Sequence, residues 1–532
     1  MVGARGRGGL VAAALCVAVL ALGCTGDDAA APVGDPSDTI APGSGGVMRV
    51  GLPGTIVLDP TKASLASPSD QMVLDLLHDG LTRVGDDGVV QPALAAAWEH
   101  NDDLTAWRFH LASDASFTSG RPVTADDVIA SIERVALLGD TSLVALSLEA
   151  VSGFRAFVDG SADHLAGLTA VDSTVVRFAL DEPLSVLPAV VASPALAVVD
   201  VPSLDAAAHG ATADLDLTGS WLVSSVAEGA LSLERRAEAP GSVDGVEVRS
   251  YADADAAYDA FTEGDVDWAS VPTDRFGEVV DAYGDDHVVP FHAELFFGLH
   301  LGSATLANPA LRQAIEAAID REAIVTSVYA DLADPLATVV PAGVPGHDPE
   351  RCGSCGPDPE RAAALVAEAF PAGTVPIVNI DYDESTAQSA MAEMIAADLE
   401  AAGIPTKLRP LPLEDYKRFV VGGTHEMFTF GWIGAYTSPD AYLAPLFVSD
   451  SDDNLTAFRS ADVDGFLSRA RGADDDAKNA ERWALAERGV MDAAVVIPIA
   501  QFRTQVVVAD RVEGLEHAVD GTVDWVNVSI DE

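Results

Sequence analysis

Lysine is almost missing from this 532-residue chain, which has four in all, Lys62, Lys407, Lys417 and Lys478. With arginine they make 30 basic residues against 83 acidic ones, a formal net charge of −53. Such a surface is repelled by nucleic acid phosphates and by anionic lipid, which excludes both as electrostatic partners. The acid excess runs along the whole chain, so it speaks for solubility and points to no single site. Catalytic signatures are also missing. No Lys follows a Gly, so there is no P-loop, and G-x-G-x-x-G, H-E-x-x-H and G-x-S-x-G are absent. His425-Glu426-Met427 starts like a zinc helix but lacks the second histidine. With 83 acids, paired carboxylates arise by chance and carry no catalytic weight. The chain therefore reads as a protein that is not an enzyme and has no cofactor.

Long apolar runs are scarce too. Leu10 to Leu22 is one, preceded by Arg5 and Arg7 and too short for a comfortable membrane span, which needs roughly 20 residues. Residues 1–23 read as a signal peptide. The run ends in "LALGC", and small residues before a cysteine suit lipoprotein processing, which would leave Cys24 as a lipidated first residue. Ordinary secretion with an incidental cysteine is the alternative. Residues 24–46, rich in Gly, Pro, Asp and Ala, read as a flexible tether. Of the four cysteines, Cys16 leaves with the signal peptide, while Cys352 and Cys355 form "CGSC" between Pro349 and Pro357. Outside the cytoplasm a small structural disulfide is the expected state. A redox pair or a metal site with His347 are the other readings, although a thioredoxin-like motif would open a helix.

A chain of this length implies two to four domains. "TADDVIASIERV" predicts a helix capped by Thr124 with Asp127 three residues on, and Val128, Ile129, Ile132 and Val135 on one face. "NPALRQAIEAAIDREAIV" predicts another, with Asn308 as N-cap, Pro309 at the first helical position and Leu311, Ile315 and Ile319 as its core stripe. Short alternating strands are expected at 174–180, 231–236, 246–251, 376–382 and 505–509. Strands mixed with helices and no repeat period indicate α/β or α+β architecture.

Several stretches together resemble the extracytoplasmic solute-binding proteins of ABC importers, in the peptide/nickel type known as family 5. They are "LDPTKASLASPSDQMVLDLLHDGLTRV" (58–84), "QPALAAAWEHNDDLTAWRFHLASDASFTSGRPVTADDVIASIERV" (91–135), "GLTAVDSTVVRFALDEPLSVLPAVVASPALAVV" (167–199), "LTGSWLVS", "FTEGDVDWASV", "NPALRQAIEAAIDREAI" and "AVVIPIAQF". The likeness runs from about residue 47 to the end. It implies an α/β fold of the type II periplasmic-binding-protein kind, with two main lobes, a hinge and an inserted smaller lobe. Domain I would comprise 47–67, 167–295 and 496–532, domain II 68–166, and domain III 296–495. It also implies a monomer anchored by lipid to the extracytoplasmic face of the bacterial cell membrane. That protein would capture an oligopeptide-like solute in the interdomain cleft and deliver it to the transmembrane subunits of an ABC permease. Sensing without transport is the rival role.

The segment "FGWIGAYTSPDAYLAPLF" (430–447) concentrates Phe430, Trp432, Tyr436, Tyr442 and Phe447 in a chain with 6% aromatics. In the family this segment runs into the cleft, and many peptide-binding members place there an Asp that receives the ligand's α-amino group. Here Ala435 stands at that position. Either another acid such as Asp440 or Asp383 takes over, or the ligand is an oligosaccharide, a blocked or cyclic peptide, or a metal chelate. The resemblance implies ligand contacts from Trp432, Tyr436, Asp440 and Tyr442, with Phe297 adding from its other side. Phe430, Leu443, Leu446 and Phe447 read as core. Arg312, Asp320 and Arg321 read as helix-stabilising. His292, His300 and His425 are conceivable nickel ligands, but lone histidines are ordinarily structural, and no bound metal is expected.

Overall fold

In this computed structural model the described residues are 45–532 without 86–87, 140–141, 208–214, 238, 240, 273–274, 276–278, 280–288, 330–331, 352–355, 505, 524, 526 and 532. Cys24, Cys352 and Cys355, with the expected lipid and disulfide, lie outside them.

Three sheets with four or more strands organise the described residues. The first has the order Val506–Val508, Trp268–Ser270, Val47–Pro53, Gly245–Tyr251, Ala230–Arg235, Trp221–Ala227. Val47–Pro53 pairs in parallel with both neighbours and buries Met48, Val50 and Leu52 at alternate positions, as a strand with one core face must. Its far-apart segments are also clamped by charge. Asp267, 1% exposed, accepts from Arg49 (2.7 Å) and from Arg511 (2.6 Å), joining the start, middle and end of the chain.

The second sheet has the order Ala333–Pro335, Val496–Thr504, Val289–Leu299, Met427–Ile433, Val378–Asp383, Thr406–Leu411. Met427–Ile433 is buried at every position, because both faces of this sheet are covered. One face packs Phe297, Leu299, Met427 and Ile433 with Leu311 and Ile315 of the helix Pro309–Ala318 and Met391 and Ile395 of the helix Thr386–Ala401. The opposite face presents Phe296, Phe430 and Trp432 to Tyr442, Leu443 and Phe447.

The third sheet is antiparallel, in the order Ala95–His100, Ala106–Leu111, Val175–Ala179, Leu168–Asp172, and the helix Ala125–Ala136 packs on its last two strands. That helix carries the expected capping box between Thr124 and Asp127 and buries Val128, Ile132 and Val135. Arg134 on it forms a two-pronged ion pair with Asp59, which also caps the short 3-10 turn Pro60–Lys62. The carbonyl of neighbouring Leu58 accepts from His78 Nε2 at 3.0 Å. The "LDP", "HDGL" and "TADDV" stretches thus meet in space.

Mixed parallel and antiparallel sheets with helices between them make this an α/β protein. Strands Leu168–Asp172 and Val175–Ala179 complete the third sheet and lie past residue 166, the limit expected from sequence for the smaller lobe. Val496–Thr504, expected in the first lobe, pairs instead with Val289–Leu299 in the second sheet. The helix from Pro309 ends at Ala318. Asp320 caps a separate short helix, Arg321–Ile324, by accepting from Ala323 N at 3.0 Å.

Candidate ligand-binding site

The strand Met427–Ile433 leads through Gly434 into a turn and then the helix Asp440–Phe447. A Cβ at Gly434 would lie 2.5 Å from the Tyr442 hydroxyl, so only glycine lets this helix fold back on the strand. Trp432, 2% exposed, donates from Nε1 to the Ala441 carbonyl at 2.8 Å. The Tyr436 hydroxyl donates to Asp440 Oδ2 at 2.7 Å. Arg471 completes the set, its Nε and Nη2 donating to the two Asp440 oxygens at 2.6 and 2.8 Å. Asp440 is fully buried, and this two-pronged, charge-assisted pair neutralises it. It is therefore not the free acid that Ala435 calls for. Tyr442 is fully buried, and its hydroxyl lies against the Gly434 backbone and makes a long contact of 3.5 Å with the His292 carbonyl. Phe297 requires a correction: side chains alternate along a strand, and Phe297 packs in the helix-covered core on the sheet face opposite Trp432. Asp383 lies on Val378–Asp383, is 4% exposed and accepts from Ser385 N at 3.1 Å.

Of the five expected contacts, Tyr436 borders open space. With Ala435 and Thr437 it lines a small cavity of about 10 Å³, closed on its other sides by Leu65, Ala192, His292 and Asp520. Polar atoms without partners collect here. Thr437 Oγ1 and both ring nitrogens of His292 are buried and make no hydrogen bond of good geometry. Burial keeps the His292 pKa low, opposed by the Asp520 carboxylate and the nearby Leu65 backbone.

Val84, Ala192, Pro194 and Asp520 form the wall shared with a second cavity, of about 90 Å³. Asp75, His78, Asp79 and Arg83 line it. Burial pushes the Asp75 carboxyl up to about 8, reinforced by the charges of Asp79 and Asp520. Asp79 is raised to about 6 by burial, with Arg236 and Arg83 opposing. His78, 3% exposed, is lowered by burial to about 4 and is neutral at pH 7. Because its Nε2 bonds a carbonyl, Nε2 carries the hydrogen and Nδ1 offers a bare lone pair, with no partner among the described residues. The crevice is thus walled mainly by acceptors. A third, larger cavity, of about 190 Å³, shares Asp79 and Ala93 and extends to Arg236 and Asp114.

The family described as "Bacterial extracellular solute-binding proteins, family 5 Middle" matches residues 89–454, well over half of the chain. The chain belongs to this family. As a family 5 solute-binding protein it is a binding protein and not an enzyme. The probable deoxycholate-binding periplasmic protein of Escherichia coli is 25% identical to it over 466 residues, 84% of this chain and 86% of that protein. The periplasmic murein peptide-binding protein of the same organism is 24% identical over 473 residues, covering 84% and 85%. In three dimensions the unliganded open form of the murein tripeptide binding protein superposes with a TM-score of 0.80 at 21% identity, covering 91% of this chain and 97% of that one. The fold is accordingly that of the type II periplasmic binding proteins.

The nickel reading of this family 5 chain finds no donor cluster: no group of three or more His, Cys, Asp or Glu suited to a metal occurs among the described residues. His300 Nδ1 and His425 Nε2 both bond the Leu455 carbonyl, at 3.0 and 2.9 Å, with the rings 4.4 Å apart, which is structural use. His292 lies in the small cavity instead. Arg312 donates to the carbonyls of Ala493 and Leu306, and Arg321 to that of Pro498, so both hold loops and strand ends. Sequence reading missed Asp75, His78, Asp79 and Asp520. The available signal was the pair of acids flanking the apolar run Leu76-Leu77, where a core-facing helix would otherwise continue.

Proposed function

We propose that this chain captures an oligopeptide-like solute outside the cytoplasm and delivers it to an ABC import permease. The observation that carries this reading is family membership over residues 89–454, together with relatives of nearly equal length whose names denote peptide binding, murein peptides and oligopeptides among them. The crevice system beside Ala435 and Tyr436 supports it, because it brings together the helix Pro68–Leu77, the end of Met427–Ile433 and the C-terminal residues 518–523. Cys24 is the lipid-bearing residue of this proposal, with 25–46 as the tether that keeps a monomeric receptor beside its permease.

The test is thermal denaturation of the full chain with panels of tri- to pentapeptides, oligosaccharides and bile acids. A ligand present at about 100 times its dissociation constant adds roughly 2.7 kcal/mol of stability. Stabilisation by peptides alone supports the reading, and stabilisation only by sugars or bile acids overturns it. For the anchor, radiolabelled palmitate should enter the wild-type protein in its host and be lost in Cys24→Ser. Equal labelling of both would overturn the assignment.

A further inference from the structure

We infer that the crevice lined by Asp75, Asp79, Asp520 and His78 receives an ammonium group of the solute. This rests on the receptor reading above. Ala435 lies in the turn after Met427–Ile433, and Asp520 lines the same small cavity from the C-terminal segment. Asp520 also lines the larger cavity with Asp75 and Asp79, which makes the two spaces neighbours across one carboxylate.

Acids alone do not define a site, and the histidine is the independent observation. His78 is almost wholly buried, its Nε2–H is committed to the Leu58 carbonyl, and its Nδ1 lone pair has no donor. A buried acceptor left without a donor is costly unless something fills the need. His292, 2% exposed, makes no hydrogen bond of good geometry from either ring nitrogen among the described residues, with only the Leu65 backbone nearby, in the adjoining cavity. What the crevice asks for is a compact group with several N–H donors and a positive charge, and a primary ammonium has three donors and no acceptor. Among the described residues lining this second cavity, three acids, Asp75, Asp79 and Asp520, stand against one arginine, Arg83. The ammonium could be a peptide amino terminus or a lysine-like side chain, and both present the same chemistry.

The experiment uses the full chain, titrated calorimetrically with penta-alanine, N-acetyl-penta-alanine and an N-acetylated pentapeptide carrying one lysine. Wild type should bind free penta-alanine at least about tenfold more tightly than the acetylated form, the scale of one charge-assisted contact. Asp520→Asn and Asp75→Asn should each reduce the ratio of free to acetylated affinity to about one. Recovery by the lysine peptide would also support the inference and would assign the ammonium to a side chain. If wild type binds all three peptides equally, or the variants keep the preference, the inference is overturned and the receptor reading stands. The n-butylammonium ion probes the crevice without any peptide. It should raise the melting temperature of wild type by about 2 °C at saturating concentration and leave Asp520→Asn unchanged. Absence of that protection overturns the inference. Binding of none of the three peptides by a protein that n-butylammonium protects overturns the peptide reading alone. Circular dichroism and unliganded melting of each variant establish that it is folded.

Discussion

The Trp432, Tyr436, Asp440 and Arg471 network and the acidic crevice around Asp75 make opposite use of their polar atoms. In the segment, Trp432 Nε1, the Tyr436 hydroxyl and both Asp440 oxygens have partners within 2.8 Å, and the ion pair to Arg471 leaves no charge uncompensated. In the crevice, His78 Nδ1 is unmatched, and three carboxylates share a space with one arginine. Aromatic density draws attention in a sequence, yet a fully satisfied network is what a structural corner needs. Unsatisfied capacity in a cavity is what a ligand needs. The place to look for recognition in this protein is where hydrogen bonding is incomplete, which includes Thr437 at the edge of the aromatic segment as well as the crevice.

The sharpest way to break this comparison is to remove one partner of the satisfied network. Arg471→Met leaves Asp440 buried with its counter-charge gone, which should cost about 3–5 kcal/mol in denaturant unfolding. Adding Asp440→Asn should restore a large part of that loss. Little destabilisation together with a changed ligand preference would mean that the segment is a recognition surface after all. Phe297→Ala makes the complementary test in the helix-covered core. Opening a cavity there should cost roughly 3–5 kcal/mol, with ligand preference untouched, because Phe297 lies on the sheet face away from Ala435 and Tyr436.

Much of the fold was legible. Thr124 and Asp127 announced their capping box, Asn308 and Pro309 their helix start, and the strands at 231–236 and 246–251 fell within one residue of Ala230–Arg235 and Gly245–Tyr251. These signals are local, and local chemistry fixes them. What stayed hidden depends on pairings across the chain. Phe297 and Trp432 lie on neighbouring strands, and which face each takes depends on a register with Thr429 and Glu294 that the sequence does not display. The same holds for Asp440, whose availability was decided by Arg471 thirty-one residues later. Asp520 sits hundreds of residues from Asp75 and belongs to no recognisable stretch, so only the folded chain could join them.

A smaller effect is expected where satisfied charge ties the motif stretches together. Burial would raise the Asp59 carboxyl, but hydrogen bonds from Arg134 and Thr61 outweigh it and hold the pKa at about 2. A depressed pKa stabilises the folded state above the ordinary carboxylate range, near pH 4, and that contribution fades as pH falls toward 2. Arg134→Ala should cost roughly 2 kcal/mol at pH 7 by the same linkage. The gap between variant and wild type should narrow below about pH 4 and close as pH falls through about 2. A gap that persists unchanged at pH 2 would show that the arginine acts through packing instead.

The crevice should behave with the opposite sign, and this sharpens the comparison most directly. Asp75 faces Asp79 and Asp520, with Arg83 as the nearby cation, and burial with those charges raises it to about 8. Asp79, which faces Arg236 and Arg83, is raised to about 6. His78, neutral because burial lowers it to about 4, does not titrate between pH 5 and 9. For a carboxyl raised above its unfolded value, the folded protein holds its proton where the unfolded chain has lost it. Stability is then greatest below about pH 4 for that group and declines as pH rises through 8. The unliganded melting temperature of wild type should therefore fall from pH 5 to pH 9, and Asp75→Asn should flatten the fall by about 1 °C for each 1 kcal/mol removed, the scale for a chain of this size. A bound ammonium should flatten it in the same way, since a cation beside Asp75 favours the charged carboxylate and lowers its pKa. A wild-type curve as flat as that of the variant would mean the three carboxylates do not crowd one another. The contrast between a satisfied corner and an unsatisfied crevice would then lose its electrostatic half.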